Sequence, residues 1–144
     1  MNQQAYPHAR DCGWIASDDH GNVGIFITAG EGPIASAALN AEFFPVVEVE
    51  PRVLDMSIRD REGVRMLVKV PRPDSYIDLA SRGLYVYDWT DISRGSGHLD
   101  AYELIAIPAA AIRRDELPEE LATVARSVRL TGVRFGVDTT ISVG

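Results

Sequence analysis

A single α+β domain on a mainly antiparallel sheet is the fold the sequence predicts, and three observations predict it. Residues 12–28 read as a β-hairpin, several later runs alternate or are rich in β-branched and aromatic residues, and one helix of clear amphipathic period lies near the C-terminus. Strand-like and helix-like runs follow one another in mixed order, about six strands against two or three helices, which an antiparallel sheet with packed helices accommodates economically. The 144 residues match one domain in size, and no repeat, low-complexity tract or linker divides them.

Residues 1–10 are polar and read as a loose lead-in. In the hairpin, Trp14 and Ile15 belong to a first apolar run, and Val23, Ile25 and Ile27 alternate through a second. The turn formers Asp18-Asp19-His20-Gly21-Asn22 lie between them, and Gly30-Glu31-Gly32-Pro33 ends the second strand. Behind Ser36, a candidate N-cap, an alanine-rich run predicts a short helix that Pro45 ends. Residues 45–56 fit either an extended piece or a broken helix. Val64, Met66, Val68 and Val70 alternate with Arg65 and Lys69 as a half-buried strand closed by Pro71 and Pro73.

Asp74 reads as the N-cap of a short helix that Gly83 ends. Strands follow at 84–89 and 101–107, separated by a Ser/Gly-rich loop over 90–98. Pro118, Glu119 and Glu120 open the clearest helix, in which Leu121, Val124, Ala125 and Val128 form one apolar stripe and Gly132 supplies the stop. A second hairpin is expected over 133–143, turning at 136–138.

Charge and composition exclude some classes of function. The formal charge is −7 and no basic run exists, which argues against nucleic-acid binding and leaves room for a basic protein partner. The lone Cys12 can form no internal disulfide, and the N-terminal stretch has no apolar core to act as a signal peptide. No apolar run approaches the roughly 20 residues of a membrane span. A cytoplasmic protein without membrane contact is expected.

No catalytic or metal motif is complete. Cys12, Asp18, Asp19 and His20 are close in sequence but form no CxxC, HExxH or EF-hand pattern, and a solvated turn is the commoner role for such a cluster. Ser93-Arg94-Gly95-Ser96-Gly97 has arginine where a nucleophile elbow needs its first glycine. Residues 28–33 lack the Gly-Lys-Ser/Thr ending of a phosphate loop. Adjacent Glu119 and Glu120 do not face each other on a helix. No enzymatic activity, cofactor or metal is therefore expected.

The most informative surface candidates are Tyr85, Tyr87 and Trp89, which strand alternation places on one face, with Val86 and Asp88 on the other. Tyr and Trp are frequent interface anchors, and Asp88 and Asp91 flank them with negative charge. Ordinary core packing is the competing account, and the favoured one for most of the three rings. Asp18, Asp19 and Glu31, at the hairpin tip and exit, form a candidate second acidic contact.

Two segments carry a resemblance. Asp11-Cys12-Gly13-Trp14-Ile15-Ala16 with residues 24–34, and Tyr102-Glu103-Leu104-Ile105-Ala106-Ile107-Pro108 with the helix behind Pro118, resemble small bacterial proteins of polymorphic-toxin and secretion-system neighbourhoods, associated with immunity. The resemblance implies a cytoplasmic, non-enzymatic protein that neutralises a toxin by binding it, and it transfers no catalytic residue. The expectation is thus a protein-binding module that uses Tyr85, Tyr87, Asp88, Trp89, Asp91, Asp18, Asp19 and Glu31, with a basic toxin domain as the specific partner and a homodimer as another arrangement. A small-ligand pocket beside the 90–98 loop is the first alternative. An enzyme using His20 or His98 as base is the last.

Overall fold

Hydrophobic alternation at the N-terminus closes the expected hairpin: β1 (Gly13–Ser17) and β2 (Val23–Ile27) pair antiparallel in register from Gly13 opposite Ile27 to Ser17 opposite Val23. The computed structural model describes residues 2–94 and 97–143. Every residue of both strands is buried, so elements cover both faces of this part of the sheet. The chain continues through α1 (Val49–Leu54), β3 (Arg65–Met66), α2 (Asp74–Ala80), β4 (Tyr85–Asp88), β5 (Tyr102–Ile107), α3 (Glu119–Ser127) and β6 (Thr140–Ile141). The strand order is β1-β2-β4-β5-β3, with β6 also paired to β5. Among the strands of the described residues only β2 and β4 pair parallel, joined by the crossover that holds α1, β3 and α2. The fold is α+β on a mostly antiparallel, curled sheet.

One face of the sheet carries the aromatic core. Trp14, Phe26 and Tyr87 stack side by side on β1, β2 and β4, with ring centroids 4.5 and 5.1 Å apart. Tyr102 reaches back from β5 to meet Trp14 edge-on at 5.9 Å, although two strands stand between them, which shows how far the sheet curls. Phe135 lies over Phe26, and Gly24 makes that approach feasible because a Cβ there would meet the Phe135 ring at 3.1 Å. On the other face, α2 packs against β4 and β5, while α1 and α3 pack against β1. The predicted stripe of Leu121, Val124, Ala125 and Val128 is buried there.

Several expectations change in detail. The lead-in is tied down by Gln4, whose backbone N–H donates to Leu39 O and whose side chain accepts from Val46 N at 2.8 Å. Ser36 opens a 3-10 turn (Ser36–Leu39) and caps nothing. Of residues 45–56, which fit either an extended piece or a broken helix, 46–54 are helical: a 3-10 turn (Val46–Glu48) leads into α1. Pro73, not Asp74, occupies the N-cap of α2, leaving Asp74 in the first turn where the helix dipole favours it. Gly132 lies beyond α3, which stops at Ser127.

The strand over 64–70 shortens to β3, and the hairpin over 133–143 becomes a tight turn at Arg134–Asp138 followed by β6. One edge of β5 explains both. It is shared, with β6 opposite Tyr102 and Glu103 and β3 opposite Ala106 and Ile107, so each claimant pairs over two residues. The 64–70 alternation survives in burial alone: Val64, Met66, Val68 and Val70 are half-buried, and Arg65, Leu67 and Lys69 are exposed.

Gly83 ends α2 at φ +101°, with its N–H on Ala80 O, and a Cβ there would lie 2.7 Å from the backbone N of Ile112. Gly83→Ala is expected to destabilise the domain by about 2–3 kcal/mol, read as a lower urea midpoint, because φ and backbone space both exclude a side chain.

Candidate functional site

The rings of β4 do share one face, but it is the inner one. Tyr87 is fully buried, donates its hydroxyl to Asp138 O at 2.7 Å and accepts from Gly136 N, so it is core with its polar tip satisfied. Trp89 is half-buried, edge-on to Tyr102 at 5.2 Å, and half-buried Tyr85 packs towards Phe135. Tyr87 is thus removed from the candidate anchors, in line with the core packing favoured for most of the three rings, while Tyr85 and Trp89 stay partly accessible. Trp89→Ala now carries a stability cost of its own as well as any effect on binding.

The acidic candidates also divide. Asp18 is buried, and its carboxylate accepts from His20 N, Asn22 N and Asn22 Nδ2 and, across the fold, from Phe135 N at 2.9 Å. It is a structural hub and offers nothing to a partner. Asp91 is buried as well, holding Leu99 N at 2.6 Å and Asp100 N at 2.8 Å. Burial pushes its carboxyl up, but those two N–H donors and nearby His98 outweigh it and hold it below the usual range. Asp19 is exposed and accepts from Gly132 N, and Glu31 is exposed beyond the end of β2. Asp19 and Glu31 therefore sit at opposite ends of a five-residue strand, roughly 16 Å apart, and form no joint contact. Candidate base His20 lies at the Asp19 end, far from His98.

Asp88 is the predicted residue that opens onto a cleft. Strand alternation turns it away from the rings and towards α2, where Tyr76 donates to its Oδ2 at 2.7 Å. The cleft, about 650 Å³, runs between residues 68–72 and the 3-10 turn Thr90–Ser93. Lys69, Arg72 and Arg94 face Asp88 and Glu103 across it, and Arg94 pairs with Glu103 at 3.3 Å. Exposed Ile92 stands on the same turn, and exposed Leu67 adjoins the opposite wall. Residues 95 and 96 of the predicted loop lie outside the described residues.

Asp11 acts on two other carboxyls at this end of the sheet. Burial pushes the Asp88 carboxyl up, and the Tyr76 hydroxyl only partly offsets that while Asp11 adds to it. Burial and Asp11 likewise raise Glu50 at the start of α1. Reasoning from sequence missed Asp11 and Glu50: the first was hidden in the approach to the hairpin, the second in a segment without clear period. The Cys12 thiol is buried and raised by that burial. Among the described residues no three His, Cys, Asp or Glu side chains are placed to hold a metal, and no helix is long and apolar enough to cross a membrane.

The raised Asp88 has a consequence for stability. A carboxyl whose pKa is higher folded than unfolded stabilises the fold below the unfolded pKa and loses that contribution as pH rises through the folded value. Asp88→Asn is therefore expected to raise the melting temperature at pH 7, with the gain vanishing in acid below the ordinary carboxylate range. A melting series from pH 3 to pH 7 checks it.

No family model, curated protein or solved structure matches the chain.

Proposed function

We propose that this is a non-enzymatic binding domain that recognises another protein through the Asp88 end of its sheet. The observation that carries the reading is Asp88 itself, a carboxyl partly withdrawn from water at the side of an open cleft, with Asp11 and Glu103 near enough to oppose its charge. Crowded carboxylates oppose the fold, and a basic partner surface relieves them on contact. Ile92 and Leu67 supply exposed apolar contacts beside that charge.

The narrower version, a cytoplasmic immunity protein that covers a basic toxin domain, rests on the resemblance of the two end segments. A homodimer through a sheet edge has less support: Val128 O and Leu130 N bind Ser17 on the outer edge of β1, and β3 is two residues long.

Capture from the native cell extract tests the proposal. The tagged protein should retain one stoichiometric partner at low salt and release it as salt rises. A Leu67→Ser, Ile92→Ser double variant should retain none while melting as the wild type does. Equal capture by both proteins, or none by the wild type, would overturn the proposal. The second reading, a small ligand in the same cleft, is favoured by the cleft's position beside the predicted loop. A thermal-shift screen of metabolites would then give a saturable response that Asp88→Asn removes.

A further inference from the structure

We propose that the opposite end of the sheet carries a second site, a cationic cleft that binds the phosphoryl group of a small phosphorylated molecule. Two adjoining hollows form it, about 490 and 360 Å³, and both are lined by His20 and Arg113. The larger adds Tyr85 and Arg134, and its charged lining is cationic throughout, in a chain with 21 Asp and Glu against 14 Lys and Arg. The smaller adds Arg114 together with Asp19 and Asp115. Both acids are engaged, Asp19 by Gly132 N at 2.9 Å and Asp115 by Arg126 at 3.4 Å.

Arg52, Arg61, Arg94 and Arg126 each pair with a carboxylate, and among the described residues the other arginines do not. What sets Arg113, Arg114 and Arg134 apart is that these three unpaired ones line adjoining hollows. The Arg113 side chain makes one long contact, 3.5 Å to Asn22 Oδ1, and the Nη1 of Arg114 is buried without a hydrogen-bond partner. An unsatisfied buried guanidinium nitrogen is costly unless an acceptor reaches it.

The fold fixes this arrangement. Arg113 pairs with Asn22 across the hairpin turn, and Arg114 N donates to Gly21 O at 3.0 Å. Gly21 has φ +78°, and a Cβ there would lie 2.7 Å from an Arg113 Nη, so the bare turn makes room for the guanidinium. Asp138 accepts from Arg134 N at 2.6 Å and holds that residue at its own turn. Planar guanidinium forks suit phosphate oxygens bidentately. Three of them beside an imidazole call for more than a single negative charge, which a phosphoryl group supplies with three acceptor oxygens.

Inorganic pyrophosphate and phosphate, titrated into the full chain at fixed ionic strength against chloride, test the proposal by calorimetry. Saturable binding is expected, tighter for pyrophosphate. An Arg113→Gln, Arg134→Gln double variant should weaken it about tenfold or more. Arg65→Gln, an exposed change on β3, should leave it unchanged. Circular dichroism of each variant confirms the fold. No saturable heat with the wild type, or equal affinity in the double variant, would overturn the site. Binding of a phosphoserine peptide without binding of either inorganic anion would overturn its assignment to a small molecule.

Discussion

Replacing Asp18 by alanine is expected to destabilise the domain by about 3–5 kcal/mol, from two or three N–H donors losing their acceptor at 1–3 kcal/mol each. The carboxylate joins two distant parts of the chain. His20 N and Asn22 N fix the hairpin turn on Oδ1, and Phe135 N brings the C-terminal segment onto Oδ2. Phe135 in turn covers Phe26, so losing Asp18 loosens the aromatic face as well as the turn. Urea denaturation measures the loss. Asp18→Asn should lose clearly less, because one amide oxygen still accepts from the turn. A loss below about 1 kcal/mol for Asp18→Ala would show that water replaces the carboxylate.

Phe26→Ala is expected to cost about 3–5 kcal/mol, the range for removing a large ring from a packed core. Phe26 stands between Trp14 and Tyr87 and meets Tyr102 edge-on at 5.2 Å, so these three rings and Phe135 each lose a neighbour. Phe26→Leu keeps much of the volume and should cost about half as much. The near-ultraviolet circular dichroism should collapse in Phe26→Ala, because Trp14 and Tyr87 lose their fixed stacking partner. An unchanged spectrum with a small stability loss would mean that the rings repack independently.

Local signals were legible where a period or a turn decided them. The 12–28 hairpin is specified by alternation and by turn formers, and α3 by an apolar stripe whose four named members are all buried. Residues 45–56 and 64–70 were poorly legible because their outcome depends on distant partners. Whether 64–70 becomes a long strand is decided by β6, which takes half of the β5 edge and begins at Thr140, 70 residues beyond Val70. Alternation on β4 correctly separated Asp88 from the rings but could not say which face looks inward, since helices and the C-terminal segment cover the two faces of this sheet. Asp18 reads as a turn former, and nothing local points to Phe135. The cationic end was equally hidden: His20, Arg113 and Arg134 come from three separate turns, and only the tertiary fold brings them to one cleft.

The two ends of the sheet differ in make-up: the Asp88 cleft mixes Asp88 and Glu103 with Lys69, Arg72 and Arg94, whereas the charged lining of the larger hollow beside His20 is cationic. Amide hydrogen exchange on the protein alone and with its captured partner tests the central claim most directly. The account predicts new protection over residues 66–72 and 89–94, with the 18–22 turn unchanged. Protection confined to the 18–22 turn and the 113–116 segment would place the partner on the cationic end and contradict it.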